Sequence, residues 1–188
     1  MLKNFVLCGL CFLYLVCSKR AEAQEYFTKN GRISFFSKAP LENISADNNQ
    51  VISILNTETG MLRFRVLIKA FHFPKAMMEQ HFNTDYLESD KYPYADFTGT
   101  LDGIREIDLA KDGTYDVTAE GILDMHGVKK NISTPAKIVV KNGAITGNAV
   151  FKVLLKDFNI KIPSVVSNNI AEQIEITVNC IYQKRTSK

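Results

Sequence analysis

Three histidines and four cysteines are the side chains of this sequence best suited to hold a metal ion or attack a substrate. His72, His81 and His126 form no His-x-x-x-His pair, and none has metal-ligand spacing with a cysteine or carboxylate. Cys180 is the only cysteine beyond residue 23, so the rest of the chain cannot form an internal disulfide. The pattern indicates no metal site and no cofactor. We expect His72 on the surface, His126 in a turn and Cys180 inside.

Motifs for nucleophilic catalysis are also missing from the sequence. It contains neither a Gly-x-Ser-x-Gly elbow nor a glycine-rich phosphate loop. A pair of catalytic carboxylates is harder to exclude, because such a pair is defined in space. The acidic residues nevertheless fall mainly on the polar faces of predicted strands or in turns. We therefore predict that the protein is not an enzyme.

Alternation of apolar and polar residues is the dominant pattern along the chain, and it is typical of β-strands with one buried face. Turn signals separate the strands at Thr59-Gly60, Asp112-Gly113, His126-Gly127 and Asn142-Gly143, of which the last is the strongest hairpin signal. About eight short strands joined mostly as hairpins predict an all-β fold, either a closed antiparallel barrel or a sandwich.

The inward positions of these strands are the candidate ligand-binding residues, because they should line one continuous apolar lumen. They are Phe64, Val66, Ile68, Val117, Ala119, Leu123, Phe151, Val153, Ile176 and Val178. Small inward residues such as Gly121 favour a cavity, whereas bulky ones such as Phe97 favour a filled barrel. Two functions follow: a carrier or store for an apolar ligand, or a structural or interaction module of the cell envelope with a plugged barrel.

One segment, Pro74–Leu87, breaks the strand pattern. Met77, Met78 and Phe82 recur at helical spacing, which predicts a short amphipathic helix packed on one end of the barrel with these three side chains buried. A second irregular stretch, Pro163–Asn169, is predicted to be a loop near the mouth of the barrel.

The length and the net charge of the chain exclude further classes of protein. The chain has 188 residues, enough for one domain, and no apolar run reaches the roughly 18 residues that span a bilayer. Lys3, the apolar run Phe5–Cys17 and the small residues at Ala21 and Ala23 predict an export signal over residues 1–23 and a domain over 24–188. The net charge of +3 belongs mostly to that signal, so the domain has no electrostatic footprint for nucleic acid.

Two stretches resemble the YceI-like proteins. Glu79–Gly99 is similar to the family's central segment, in which a helix ends and a Tyr-Pro pair leads into a strand. Glu120–Lys130 resembles its strand, His-Gly turn and basic pair. The run Lys29–Leu41 departs from the pattern, since it lacks an Asp and a His that many members carry around the first strand. The resemblance implies an eight-stranded lipocalin-like barrel in an exported protein, periplasmic or secreted. It also implies binding of a polyisoprenoid or other long-chain lipid in the lumen, with no catalytic residues.

Cleavage after Ala23 is the first testable prediction. Small residues two positions apart behind an apolar run are what a signal peptidase recognises. N-terminal sequencing of the exported protein should therefore begin at Gln24, and exported protein that begins at Met1 would refute the assignment.

Overall fold

The computed structural model describes residues 25–185. The predicted signal segment and its cleavage site lie outside the described residues. Within these residues, eight strands and one short α-helix follow one another. They are β1 (Glu25–Lys38), β2 (Asn43–Asn56), β3 (Met61–Leu67), α1 (Ala76–His81), β4 (Tyr94–Asp102), β5 (Gly113–Met125), β6 (Val128–Lys141), β7 (Ala144–Leu154) and β8 (Gln173–Lys184). A π-helical turn (Phe82–Tyr86) extends α1, and short 3₁₀ turns lie at Ile68–Ala70, Ile104–Glu106, Leu155–Phe158 and Ser164–Val166.

Each strand pairs with the next in antiparallel fashion, and β1 also pairs with β8, which closes the sheet into a barrel. The predicted all-β, antiparallel eight-stranded barrel is therefore confirmed, and the sandwich alternative is wrong. A register shift in β1 between Phe27 and Arg32 bends this strand where it joins β8. None of the helical segments between residues 25 and 185 combines the length and the apolar character needed to cross a membrane.

Tight turns between strands lie where glycine dipeptides predicted them. His126-Gly127 joins β5 to β6, and Asn142-Gly143 joins β6 to β7, with all four residues at positive φ. Two consecutive residues of this kind give the mirror-image turn whose twist matches that of antiparallel strands. These hairpins fix the register of three strands, so the alternating side chains of each strand face the same lumen.

Two glycines that face each other on β4 and β5 allow the backbones of these two strands to approach closely. Gly99 pairs with Gly121, and a Cβ atom on Gly99 would overlap the carbonyl oxygen of Glu120. A Cβ atom on Gly121 would overlap the carbonyl oxygen of Thr98. The close approach therefore involves backbone atoms, which cannot move aside as the end of a side chain can.

The helix over the barrel end is shorter than predicted, and one of its side chains was wrongly placed. Helix α1 ends at His81, and the chain continues through the π-helical turn to Tyr86. Met78 and Phe82 are partly buried, but Met77 is exposed to solvent. Helix α1 has only six residues, which is less than two full turns. Only part of its surface can therefore face the barrel, and Met77 points to solvent.

Replacing Gly99 or Gly121 with alanine should destabilise the protein by about 2 kcal/mol or more, because the added methyl group meets fixed backbone. Gly147→Ala is the matched control in β7. Its Cβ atom would meet only side-chain atoms, 3.3 Å from Tyr182 Cε2 and 3.7 Å from Ile138 Cδ1. Urea denaturation should show a small change for Gly147→Ala, and equal stability of all three variants would contradict the close approach of β4 and β5.

Candidate functional site

The barrel encloses a deep cavity of about 110 Å³ lined almost entirely by apolar atoms. A cavity needs about 10–15 Å³ of free volume to hold one water molecule. The interiors of folded proteins contain few voids larger than a water molecule. The cavity is therefore too large to be a packing defect. Five of its lining residues are alanine or glycine. These are Ala95, Ala119, Ala136, Gly147 and Ala149.

Two further cavities extend from the deep cavity toward one end of the barrel. The middle cavity, also about 110 Å³, shares Val66, Leu123 and Phe151 with the deep cavity. The mouth cavity, about 270 Å³, shares Phe35 and Phe82 with the middle cavity. The three cavities thus follow one another along the lumen, from a closed end to a mouth beneath α1.

The predicted inward residues lie where alternation placed them, with one difference. Those that line the deep cavity are Phe64, Val66, Ala119, Leu123, Phe151 and Val178. Those that line the middle cavity alone are Ile68, Val153 and Ile176. Val117 is buried in the core cluster at the closed end and does not line the three lumen cavities described above. The structure therefore brings nine of the ten candidates to the lumen wall.

A buried hydroxyl pair lies at the closed end of the lumen. Ser53 Oγ donates a hydrogen bond to the Arg63 carbonyl oxygen (2.9 Å), so the Tyr182 hydroxyl donates to Ser53 Oγ (2.8 Å). Burial raises the pKa of Tyr182, which keeps the phenol protonated and able to donate. The pair links β2, β3 and β8 at the end of the lumen away from the mouth.

Four phenylalanines separate the middle cavity from the mouth cavity. The Phe82 ring lies 5.6 Å from Phe35, 5.6 Å from Phe71 and 5.0 Å from Phe73, measured between centroids. Phe35 and Phe82 line both cavities, so these two rings lie at the boundary between them. Phe35 and Phe82 were not among the predicted lining residues. The alternation of β1 gave a signal for Phe35, whereas helical spacing predicted that Phe82 is buried on the barrel end but not that it lines the lumen.

The mouth cavity differs from the deeper cavities because polar atoms form a larger part of its lining, and several polar side chains border it. These are Ser37, Glu42, His81 and Asn169. Ser37 Oγ accepts a hydrogen bond from the Ala171 backbone N–H (2.9 Å), and Glu42 accepts one from Lys75 Nζ (2.7 Å). An amphiphile with its chain in the lumen would have its polar end among these groups.

The one cysteine of the described residues and the histidines differ in how accessible they are. Cys180 is fully buried, and burial raises the pKa of its thiol to about 12, so it stays protonated near neutral pH. His72 and His81 are exposed. Across residues 25–185, no three His, Cys, Asp or Glu side chains are grouped so that they could hold a metal ion.

His126 does more than occupy a turn, because its buried ring connects three segments. Nδ1 donates to the Phe158 carbonyl oxygen (2.9 Å), and Nε2 lies 3.0 Å from Glu88 Oε2. Both partners, the Phe158 carbonyl oxygen and the Glu88 carboxylate, are hydrogen-bond acceptors. The edge of the Tyr92 ring packs against the imidazole, with the centroids 4.6 Å apart. His126 thereby ties the β5–β6 turn to the segments that follow the π-helical turn and β7.

Replacing His126 should lower the free energy of unfolding by about 1–3 kcal/mol, because Phe158 and Glu88 lose a buried donor. His126→Asn is the informative variant, since asparagine tolerates the positive φ of 53° at this position. His72→Ala and His81→Ala are the controls and should stay within about 0.5 kcal/mol of the unaltered protein in urea denaturation. Equal effects at all three positions would contradict a connecting role for His126.

Comparison with known proteins identifies the family. Residues 22–181 match the family model described as YceI-like domain. A polyisoprenoid binding domain from Saccharophagus degradans, implicated in plant cell wall breakdown, superimposes with a TM-score of 0.75 and 14% identity, covering 87% of this chain and 99% of that one. Burkholderia cenocepacia BcnA gives 0.67 and 14%, covering 82% and 96%.

The Campylobacter jejuni YCEI protein gives a TM-score of 0.51 and 16% identity, covering 99% of this chain and 100% of that one. No curated protein shows significant sequence similarity to this chain. At these identities the solved structures show the fold alone, whereas the family model matches most of the chain. The chain therefore belongs to the YceI-like family.

Proposed function

We propose that the protein binds a polyisoprenoid or similar long-chain lipid in its lumen and acts as an exported, non-enzymatic carrier or store. The observation that carries the proposal is the row of three neighbouring, mainly apolar cavities along the lumen. An empty cavity of about 110 Å³ costs about 2–3 kcal/mol of stability at roughly 24 cal/mol per Å³. Larger side chains at Ala119 or Ala136 could fill the deep cavity, yet the chain keeps small ones there.

The shape of the lumen supports a slim, elongated ligand. The cavities follow one another from the closed end at Tyr182 to the mouth, so an extended chain is favoured over a round molecule. An apolar chain in such a lumen gains roughly 25 cal/mol for each Å² of apolar surface removed from water. Polar groups occur at the mouth, where Glu42 and His81 would meet a polar head group. Family membership and the polyisoprenoid-binding neighbour agree with this chemistry.

Export and the absence of catalysis are parts of the same proposal. The export signal over residues 1–23 rests on the sequence, and it would deliver the domain over 24–188 to the periplasm or the exterior. A binding function needs no reactive side chain. The roles of His126 and Cys180 agree with this, since both are engaged in holding the fold.

Ala119→Phe is the variant that tests the proposal. The ring would occupy the deep cavity, so the protein should fold with less than the roughly 1–3 kcal/mol loss that overpacking of a filled core causes. Native mass spectrometry and lipid extraction should find lipid with the purified unaltered protein and none with the variant. The variant should also bind added farnesol at least roughly tenfold more weakly, which corresponds to about 1.4 kcal/mol.

Thr100→Phe is the matched control, since Thr100 is exposed on β4 next to Leu101, the residue that pairs with Ala119. It adds the same ring to the outer face and should keep both the lipid and the affinity for farnesol. A strongly destabilised Ala119→Phe, together with an unaltered protein that carries no lipid, would instead support the plugged barrel. A stable Ala119→Phe that retains the lipid would place the ligand elsewhere.

A further inference from the structure

The three most exposed large apolar side chains among residues 25–185 belong to one end of the barrel. Val165, Leu41 and Met77 are 87%, 71% and 69% exposed, and the next, Ile181 on the barrel wall, is 61% exposed. Single exposed apolar residues are common on protein surfaces and need no explanation. Three exposed apolar residues on separate segments near one opening, in contrast, require an explanation. We call Leu41, Met77 and Val165 the apolar rim.

Contacts between these segments place the apolar rim around the mouth cavity. Each rim residue immediately precedes a residue that lines this cavity. The lining residues are Glu42, Met78 and Val166. The Leu41 backbone N–H donates to the Asn168 carbonyl oxygen (3.0 Å), which joins the β1–β2 turn to the loop that contains Val165. Lys75 Nζ donates to Glu42 Oε1 (2.7 Å), which joins the same turn to the start of α1. The three segments that carry the rim residues therefore meet at the mouth cavity.

We infer that the apolar rim docks on the surface of a phospholipid bilayer and brings the mouth of the lumen into contact with membrane lipid. The inference rests on the proposed function, because a long-chain lipid resides in membranes and is almost insoluble in water. Transfer of the lipid through water would expose its whole hydrocarbon chain, at a cost of roughly 25 cal/mol for each Å² of apolar surface. When the exposed apolar side chains around the mouth enter the surface of the membrane, the lipid can pass between the bilayer and the lumen without exposure to water. The rim is continuous with the lumen, which favours a membrane over a protein partner.

The charges near the rim indicate how the docking works. The charged residues of the segments 38–42, 72–87 and 156–172 are Lys38, Lys75, Lys156 and Lys161 together with Glu42, Glu79, Asp85, Asp157 and Glu172. The opposite charges nearly balance, so the segments form no basic patch that would select anionic lipid. The docking depends on insertion of apolar side chains, and a zwitterionic phosphatidylcholine bilayer is the appropriate probe.

Tryptophan fluorescence can locate the docking surface, because the chain contains no tryptophan. Met77→Trp and Val165→Trp place single reporters on the apolar rim. Val150→Trp and Ile181→Trp are the matched controls, since both residues are exposed on strands of the barrel wall. With phosphatidylcholine vesicles, emission from the rim reporters should shift to shorter wavelength. Vesicles with brominated acyl chains should quench the rim reporters several-fold more than the wall reporters.

A second set of variants removes the apolar rim and leaves the lumen intact. The triple variant Leu41→Ser, Met77→Gln, Val165→Ser should associate with phosphatidylcholine vesicles roughly tenfold more weakly or not at all, because three insertable side chains are lost. Ile52→Thr, Val150→Thr, Ile181→Thr is the control on the wall and should associate normally. Farnesol added from solution should bind both triple variants with the affinity of the unaltered protein.

These measurements separate the rim from the lumen. Failure of the unaltered protein to bind farnesol would overturn the proposed function. Normal farnesol binding with no difference between rim and wall reporters would overturn the docking inference alone. A concentration-dependent shift of the rim reporters without vesicles would show that a second copy of the chain covers the rim, and it too would overturn the inference. Equal quenching of rim and wall reporters would have the same consequence.

Discussion

The pairing of β1 with β8 is the constraint on which the rest of the structure depends. It extends from Tyr26 opposite Lys184 to Phe36 opposite Glu175, and it leaves no open edge in the eight-stranded sheet. An open sheet would expose unpaired backbone groups and one entire apolar face. Closure instead turns that face into a lumen that water enters only at the ends. The Arg185–Glu25 ion pair, 2.8 Å apart, lies at the end of this seam but is exposed and adds little.

The two ends of the lumen differ because different side chains and segments lie over them. At the closed end, core side chains pack together and the Tyr182–Ser53 pair is buried. At the other end, α1, the π-helical turn and the loop around Val166 lie over the opening without sealing it. Segments outside the sheet therefore decide access to the lumen, because the strands form only its wall. Phe82 is the clearest example, since its ring borders both the middle cavity and the mouth cavity.

The cavities in the lumen lower the stability of the barrel, and the proposed binding of a ligand is the reason to keep them. Protein interiors normally pack to high density, and a vacant apolar space lowers stability in proportion to its volume. The barrel tolerates these spaces because its wall is held by a continuous hydrogen-bonded ladder and by connections such as that of His126. A rigid wall allows small residues such as Ala119 to remain inside without collapse of the space around them. The same rigidity would spare a ligand part of the ordering cost of binding.

The sequence by itself determined the strands, the hairpins and the inward faces of this protein. Alternation placed Phe64, Val66 and Ala119 correctly, since neighbouring side chains of a strand point to opposite faces whatever the partner strand is. Glycine dipeptides located the turns, because few other residues adopt positive φ. Tertiary structure alone decided whether the lumen is filled, since that depends on the barrel diameter and on side chains from many strands.

The tertiary structure also decided the surroundings of the mouth. His126 reaches Glu88 and Phe158, which lie 38 and 32 residues away along the chain. Such contacts have no sequence period, so no local pattern predicts them. Met77 shows the same limit, because helical spacing indicated a buried face but not how many turns of helix the barrel end could cover. Local rules fix how each segment folds, whereas the cavities and the rim exist only once distant segments enclose the same space.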